Sequence, residues 1–319
     1  MQSGSYPHAD GQLMLTDSGL ETDLVFNKGV ELPEFASFPL LDDETGRGLL
    51  EQYYREHAAV AAEYGTGFVF ETPTWRSNAD WGPRLGYSQD QLDRIDREAV
   101  ALVVGVRDSG PQLSGPTSIS GLLGPRGDGY AVGTAMSVEA ARDYNAHQVG
   151  VLAEAGCDLV STLTMNYAAE ATGIALAARA VGVPVAVSFT VETDGRLPDG
   201  STLEDAIAAV DRATGSYVAY FGVNCAHPDH IWPGLDPSGD WVQRVGWIRA
   251  NASRLSHAEL DEAEVLDEGD PAGLGADYRM LAEAFPNITV WGGCCGTDVR
   301  HVRAIAAQLT PPPPGAARA

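Results

Sequence analysis

The chain has 319 residues, 44% of them hydrophobic, enough for one large α/β barrel or for two ordinary domains. Its 44 acidic against 20 basic residues leave a formal charge of −24, a surface that repels phosphate backbones and anionic membranes, so no nucleic acid and no membrane partner is expected. No apolar stretch approaches the ~20 residues of a membrane span, residues 1–10 carry no signal-peptide pattern, and four cysteines make no disulfide framework, which together point to a reducing, cytoplasmic setting.

Strand-like runs alternate with helical patterns from one end to the other. Residues 13–16 form the first strand and run into Asp17-Ser-Gly19. A helical pattern over 49–62 precedes the strand at 68–70, which ends on Glu71 and continues as Thr-Pro-Thr-Trp75. Strand three is predicted at 117–120, then a helix over 138–156, strand four at 159–163 and a helix over 168–180. Strand five at 183–189, a helix over 202–213 and strand six at 218–223 follow, with Asn224 and Cys225 at the last strand's end. After a turn-rich loop at 226–241 come strand seven at 245–248 and strand eight at 288–290. Trp291-Gly-Gly-Cys-Cys-Gly-Thr297 follows directly. Eight strands alternating with helices, with no long linker, argue for a single (β/α)8 TIM barrel over residues 1–309. The Pro-rich segment 310–319 is predicted to be a disordered tail.

In such a barrel the C-terminal ends of the strands form the catalytic face. Cys225 then ends strand six while Cys294 and Cys295 end strand eight, so three of the four thiols share one rim. Three thiolates with no fourth ligand in view are the donor set of a zinc site (Zn2+) with one position open to substrate. Neighbouring residues on a strand face opposite ways, so the pair must leave strand geometry to share a metal, and Gly292, Gly293 and Gly296 permit that turn. Two plainer readings are small apolar cysteines filling the barrel mouth, and a redox pair, which requires a strained ring. His227 and His230 are either competing ligands or solvated loop residues, and Cys157, before strand four at the opposite end, reads as a buried structural thiol.

The chain resembles the homocysteine S-methyltransferase family, zinc-dependent barrels that include betaine–homocysteine and S-methylmethionine–homocysteine methyltransferases. Gly292-Gly-Cys-Cys-Gly-Thr297 and Val223-Asn-Cys225 match its zinc-binding signatures. Asp17-Ser-Gly19, Gly121-Leu-Leu-Gly-Pro125, Ala155-Gly-Cys-Asp158, Ser188-Phe-Thr190 and His301 match as well, and the resemblance covers about residues 12–308. It implies a thiol acceptor activated at the open zinc position and a cationic methyl donor, sulfonium or quaternary ammonium, with no redox cofactor. It also implies substrate-binding roles for Asp17, near the acceptor, and for Asn224. The plainer reading of Asp17 is a turn-forming aspartate at a strand end.

Two positions depart from the family pattern. Where the family carries an acceptor-binding glutamate at the end of strand four, this chain has Leu163, followed by Thr164. Glu71 stands where the family commonly has threonine; it either supplies the missing charge from strand two or pairs with Arg76 or Arg84. Trp75 matches an aromatic position facing the methyl donor, and Trp232, Trp241, Tyr130 and Tyr167 are candidates to complete a cation–π cage. The leading expectation is zinc-dependent methyl transfer to homocysteine, giving methionine. The alternatives are another thiol acceptor, or a zinc-binding, thiol-sensing protein without methyl transfer. Oligomeric state stays open.

Overall fold

A computed structural model describes residues 11–310; residues 1–10 and most of the predicted tail, 311–319, lie outside the described residues. Eight parallel strands close into a barrel in strict sequence order: β1 Met14–Leu15, β2 Gly67–Glu71, β3 Thr117–Leu123, β4 Leu159–Met165, β5 Val185–Phe189, β6 Tyr220–Asn224, β7 Val245–Ala250 and β8 Val290–Gly293. β8 pairs with β1, Met14 opposite Val290, which closes the ring. The outer layer includes the long helices Glu44–Tyr64, Gln89–Ser109, Val138–Glu154, Ala168–Val181, Leu203–Thr214, Pro271–Ala284 and Val299–Leu309. Among the described residues no helix is long and apolar enough to cross a membrane.

The predicted strands all exist, with shifted ends. β7 continues past the predicted 248 to Ala250, and β8 begins at Val290, where its predicted span ended, and carries on to Gly293. The helix Gln89–Ser109 opens on a Ser88/Gln91 capping box, a signal worth about 1 kcal/mol that pins the start of a 21-residue helix. The loop predicted after strand six holds only short helical pieces, Pro228–Ile231, Trp232–Gly234 and Asp240–Arg244, so this one crossover lacks a full helix.

Two apolar clusters hold the fold. The larger lies between strands and helices; the smaller fills the barrel lumen with Met14, Val69, Leu122, Leu159, Leu163, Ala186, Tyr220, Trp247 and Val290. Side chains two apart on a strand face the same way. The position after Val69 on the inner face of β2 is therefore Glu71, the one after Leu159 on β4 is Ser161, and the one after Trp247 on β7 is Arg249. The lumen is thus apolar below and capped by a polar layer at the C-terminal rim.

Candidate metal centre and its chamber

Each cysteine reaches the rim by leaving strand geometry. Cys225, just past β6, has φ 55°, a left-handed conformation that costs an L-residue about 1–3 kcal/mol. Its N–H donates to the Arg249 carbonyl at 2.9 Å, which keeps it tied to β7. Past β8 the Cys294 N–H donates to the Ala250 carbonyl at 2.8 Å, and the Thr297 hydroxyl donates to the Cys294 carbonyl at 2.6 Å, closing the turn. The predicted glycines act differently from one another. Only Gly296 has the left-handed φ, 77°; Gly292 and Gly293 belong to β8 and are glycine because other groups press on them. A Cβ at Gly292 would sit 1.8 Å from Thr16 Oγ1, and one at Gly293 2.0 Å from Thr297 Oγ1.

The result brings the three Sγ atoms within 4.8 Å of one another. Cys225 and Cys294 are buried and Cys295 is half-buried. Hydrogen bonds from the Cys225 and Cys295 thiols, assisted by the Arg249 guanidinium, hold Cys294 well below the usual thiol range, and that same sulfur pushes Cys225 up. Three soft sulfur donors converging on one point fit a zinc ion. The Tyr130 hydroxyl lies 3.0 Å from Cys225 Sγ and 3.7 Å from Cys295 Sγ, its ring against His257 at 4.3 Å. His257 in turn donates from Nε2 to the Cys225 carbonyl at 2.7 Å.

Cys294 and Cys295 line a chamber of about 400 Å³, a size suited to a small molecule. Its floor is the polar layer, organised by Arg249, which is 3% exposed. This guanidinium donates from Nε to the Gly293 carbonyl and from Nη2 to the Ser18 carbonyl, each at 2.7 Å, and from Nη1 to Glu71. Asp17 Oδ1 lies 2.7 Å from Nη2 as an ion pair without an aligned hydrogen bond. Burial raises the Asp17 carboxyl above its usual value despite this guanidinium. The other Glu71 oxygen accepts from Ser161 Oγ at 2.8 Å. Glu71 is therefore partnered by Arg249, and neither Arg76 nor Arg84 is its counter-ion.

Asn224 and Trp75 also line the chamber. Asn224 Oδ1 accepts from the Thr164 N–H and the Ser188 hydroxyl, each at 2.8 Å, and its amide nitrogen reaches Cys294 Sγ at 3.7 Å, so the side chain braces a thiol. Trp75 donates from Nε1 to Thr164 Oγ1 at 3.2 Å, and the Arg76 guanidinium covers its ring at 4.5 Å. Thr164 has φ 58°, and the register shifts between Thr162 and Met165, a bulge beside which Leu163 lines the chamber.

The predicted aromatic cage is not assembled. Tyr130 joins Trp75 on the chamber wall, but the half-exposed Trp232 packs on Phe285, Trp241 packs against the outer core, and the Tyr167 hydroxyl accepts from the Met136 N–H. Neither histidine of the β6 loop belongs to the thiol trio. His227 caps the short helix Pro228–Ile231 and falls with Asp229 and Asp277 in a group whose two carboxylates both pair with Arg254; His230 lies on that helix. His301 is buried in a capping box with Asp298, and Cys157 is a buried thiol before β4 whose pKa burial pushes up to about 12. Sequence reasoning missed Arg249, Tyr130's contact with the thiols and His257. Arg249 had a signal: it is the next inward position after Trp247.

The family model described as homocysteine S-methyltransferase matches residues 14–309. Homocysteine S-methyltransferase 3 of Arabidopsis thaliana is 22% identical, the match covering 70% of this chain and 62% of that protein. Methionine synthase of Mycobacterium leprae is 27% identical, over 84% of this chain and 22% of its own length. The match thus spans less than two thirds of either relative. The oxidized form of the homocysteine methyltransferase MmuM from Escherichia coli shares the fold with a TM-score of 0.73 at 20% identity, covering 93% of this chain and 96% of that one.

Proposed function

The chain belongs to the homocysteine S-methyltransferase family, and from that premise we propose that it transfers a methyl group from a cationic donor to the sulfur of homocysteine beside zinc held by Cys225, Cys294 and Cys295. The observation that carries this reading is the convergence of three thiols within 4.8 Å of one another, two of them, Cys294 and Cys295, lining a chamber of about 400 Å³. Zinc bound there would supply a thiolate at neutral pH by lowering the acceptor's thiol pKa. The acceptor's proton leaves to solvent. Its sulfur then forms a bond to the methyl carbon as the bond from that carbon to the cationic sulfur or nitrogen breaks, and the leaving thioether or tertiary amine keeps the electron pair.

The chain's own residues prepare this displacement. Asn224 and the turn closed by Thr297 fix Cys294, and the left-handed Cys225 backbone brings its sulfur to the same point. Arg249 locks the floor so that Asp17 and Glu71 hold still while substrates exchange. The chamber walls shed water around the cation, and Trp75 and Tyr130 offer aromatic surface to it.

A different thiol acceptor is a second reading, favoured by one observation. Leu163 offers no charge to an ammonium group, and both Glu71 oxygens are already taken by Arg249 and Ser161. The test is a mass-spectrometric screen of the zinc-loaded protein with homocysteine and other thiols against S-methylmethionine, S-adenosylmethionine and betaine. Catalytic formation of methionine supports the first reading, methylation of another thiol alone supports the second, and no methylated thiol sinks both.

A further inference from the structure

Two guanidinium groups line the chamber, and they are treated in opposite ways. Arg249 is saturated by two carboxylates and two carbonyls. Arg76 has no ion pair and no side-chain hydrogen bond among the described residues, and its Nε is buried without a partner. It is nevertheless held in place: its guanidinium lies over Trp75 at 4.5 Å and over Trp81 at 3.7 Å, while Arg84 covers Trp81 as well at 4.3 Å. Stacking of this kind orients a guanidinium while leaving its hydrogen-bonding edge unspent.

Leaving a half-buried cation unpaired costs stability, so the arrangement calls for a partner that arrives from outside. Burial draws the Arg76 pKa down, with Asp128 and Glu21 pulling it back up from a distance. Neither carboxylate is free to swing in. Glu21 accepts from Ser37 at 2.8 Å, and Asp128 accepts from the Tyr130 and Ala131 N–H groups at 2.7 and 2.9 Å. The group that matches a guanidinium edge geometrically is a carboxylate, which accepts two parallel hydrogen bonds.

We propose that Arg76 is the anchor for the carboxylate of a small molecule bound in the chamber, so that a substrate carries a carboxylate as well as its reacting sulfur or methyl group. This deepens, and rests on, the reading of the chamber as a methyl-transfer site. The anchor is a binding residue: it fixes one end of the molecule while the thiol trio receives or faces the other.

Isothermal titration of the zinc-loaded full chain with three matched pairs tests it. Homocysteine is paired with 3-aminopropane-1-thiol, S-methylmethionine with (3-aminopropyl)dimethylsulfonium, and glycine betaine with tetramethylammonium. A charge-assisted bidentate contact predicts that in at least one pair the carboxylate-bearing member binds the wild type about 10-fold or more tighter. The pair that responds identifies acceptor or donor as the anchored molecule. Arg76→Met is expected to erase that preference while leaving the carboxyl-free member within about twofold, and Arg76→Lys to restore part of it. Unchanged zinc content and circular dichroism exclude misfolding as the cause, and Arg76→Lys alone reads the contact if the methionine variant does not fold. A preference that persists in Arg76→Met, or no preference in any wild-type pair, overturns the inference. The two proposals fail separately: a chain that binds carboxylates through Arg76 but methylates no thiol keeps the anchor and loses the function, and turnover with Arg76-independent binding does the reverse.

Discussion

Arg249 decides more of the site than any of the residues that the motifs advertise. Its guanidinium joins the ends of β1, β2, β7 and β8 through Asp17, Ser18, Glu71 and Gly293, and the last of these precedes the cysteine pair. A buried ion pair gains little over an apolar replacement, but removing one partner strands the others. Arg249→Met leaves two carboxylates buried without a counter-charge and is expected to cost about 3–5 kcal/mol in urea unfolding. The triple variant Asp17→Asn, Glu71→Gln, Arg249→Met removes every charge together and should recover most of that loss. Equal stability of the single variant and the wild type would show that Arg249 is no brace.

Elements show which glycines the fold uses. Gly293 ends β8 with Thr297 Oγ1 against the place its Cβ would occupy, and that same hydroxyl closes the cysteine turn. Gly293→Ala should therefore cost about 1–3 kcal/mol through overpacking, and lower the zinc bound per chain. Gly48 and Gly105 are exposed on the helices Glu44–Tyr64 and Gln89–Ser109, and beyond its chain neighbours and its own helix backbone a methyl group at either would meet nothing within 4 Å among the described residues. Alanine at either should raise stability by roughly 0.5–1 kcal/mol, read as a higher urea midpoint. Element order and the shared rim of the three thiols were legible because strand period, turn glycines and cysteine placement are local signals. What surrounds the thiols was less so. Trp232 and Trp241 are aromatic and near Cys225 in sequence, yet the short crossover after β6 turns them to the outside. Glu71 and Arg249 belong to strands that meet only across the lumen, a pairing that no segment read alone reveals.

At the scale of the whole molecule, the barrel core and the candidate metal centre occupy separate layers. The apolar lumen, from Met14 on β1 to Val290 on β8, lies beneath the polar layer and contains none of the three candidate ligands. The barrel is therefore expected to fold without the metal, unlike a domain whose only core is its zinc site. The thiols do span the rim, with Cys225 following β6 and Cys294 following β8, and the strand between them, β7, hydrogen-bonds to both residues through Arg249 and Ala250. A zinc ion bound by the folded chain alone adds stability as RT ln(1 + [L]/Kd), about 2.7 kcal/mol at a hundredfold excess over Kd. Chelation should thus lower the thermal midpoint by a few degrees while far-ultraviolet circular dichroism keeps its folded form below the transition. The triple variant Cys225→Ala, Cys294→Ala, Cys295→Ala should be indifferent to both zinc and chelator. Loss of the folded spectrum on chelation would mean that the rim, and not the lumen, holds the barrel together; a zinc-dependent midpoint in the triple variant would place the metal elsewhere.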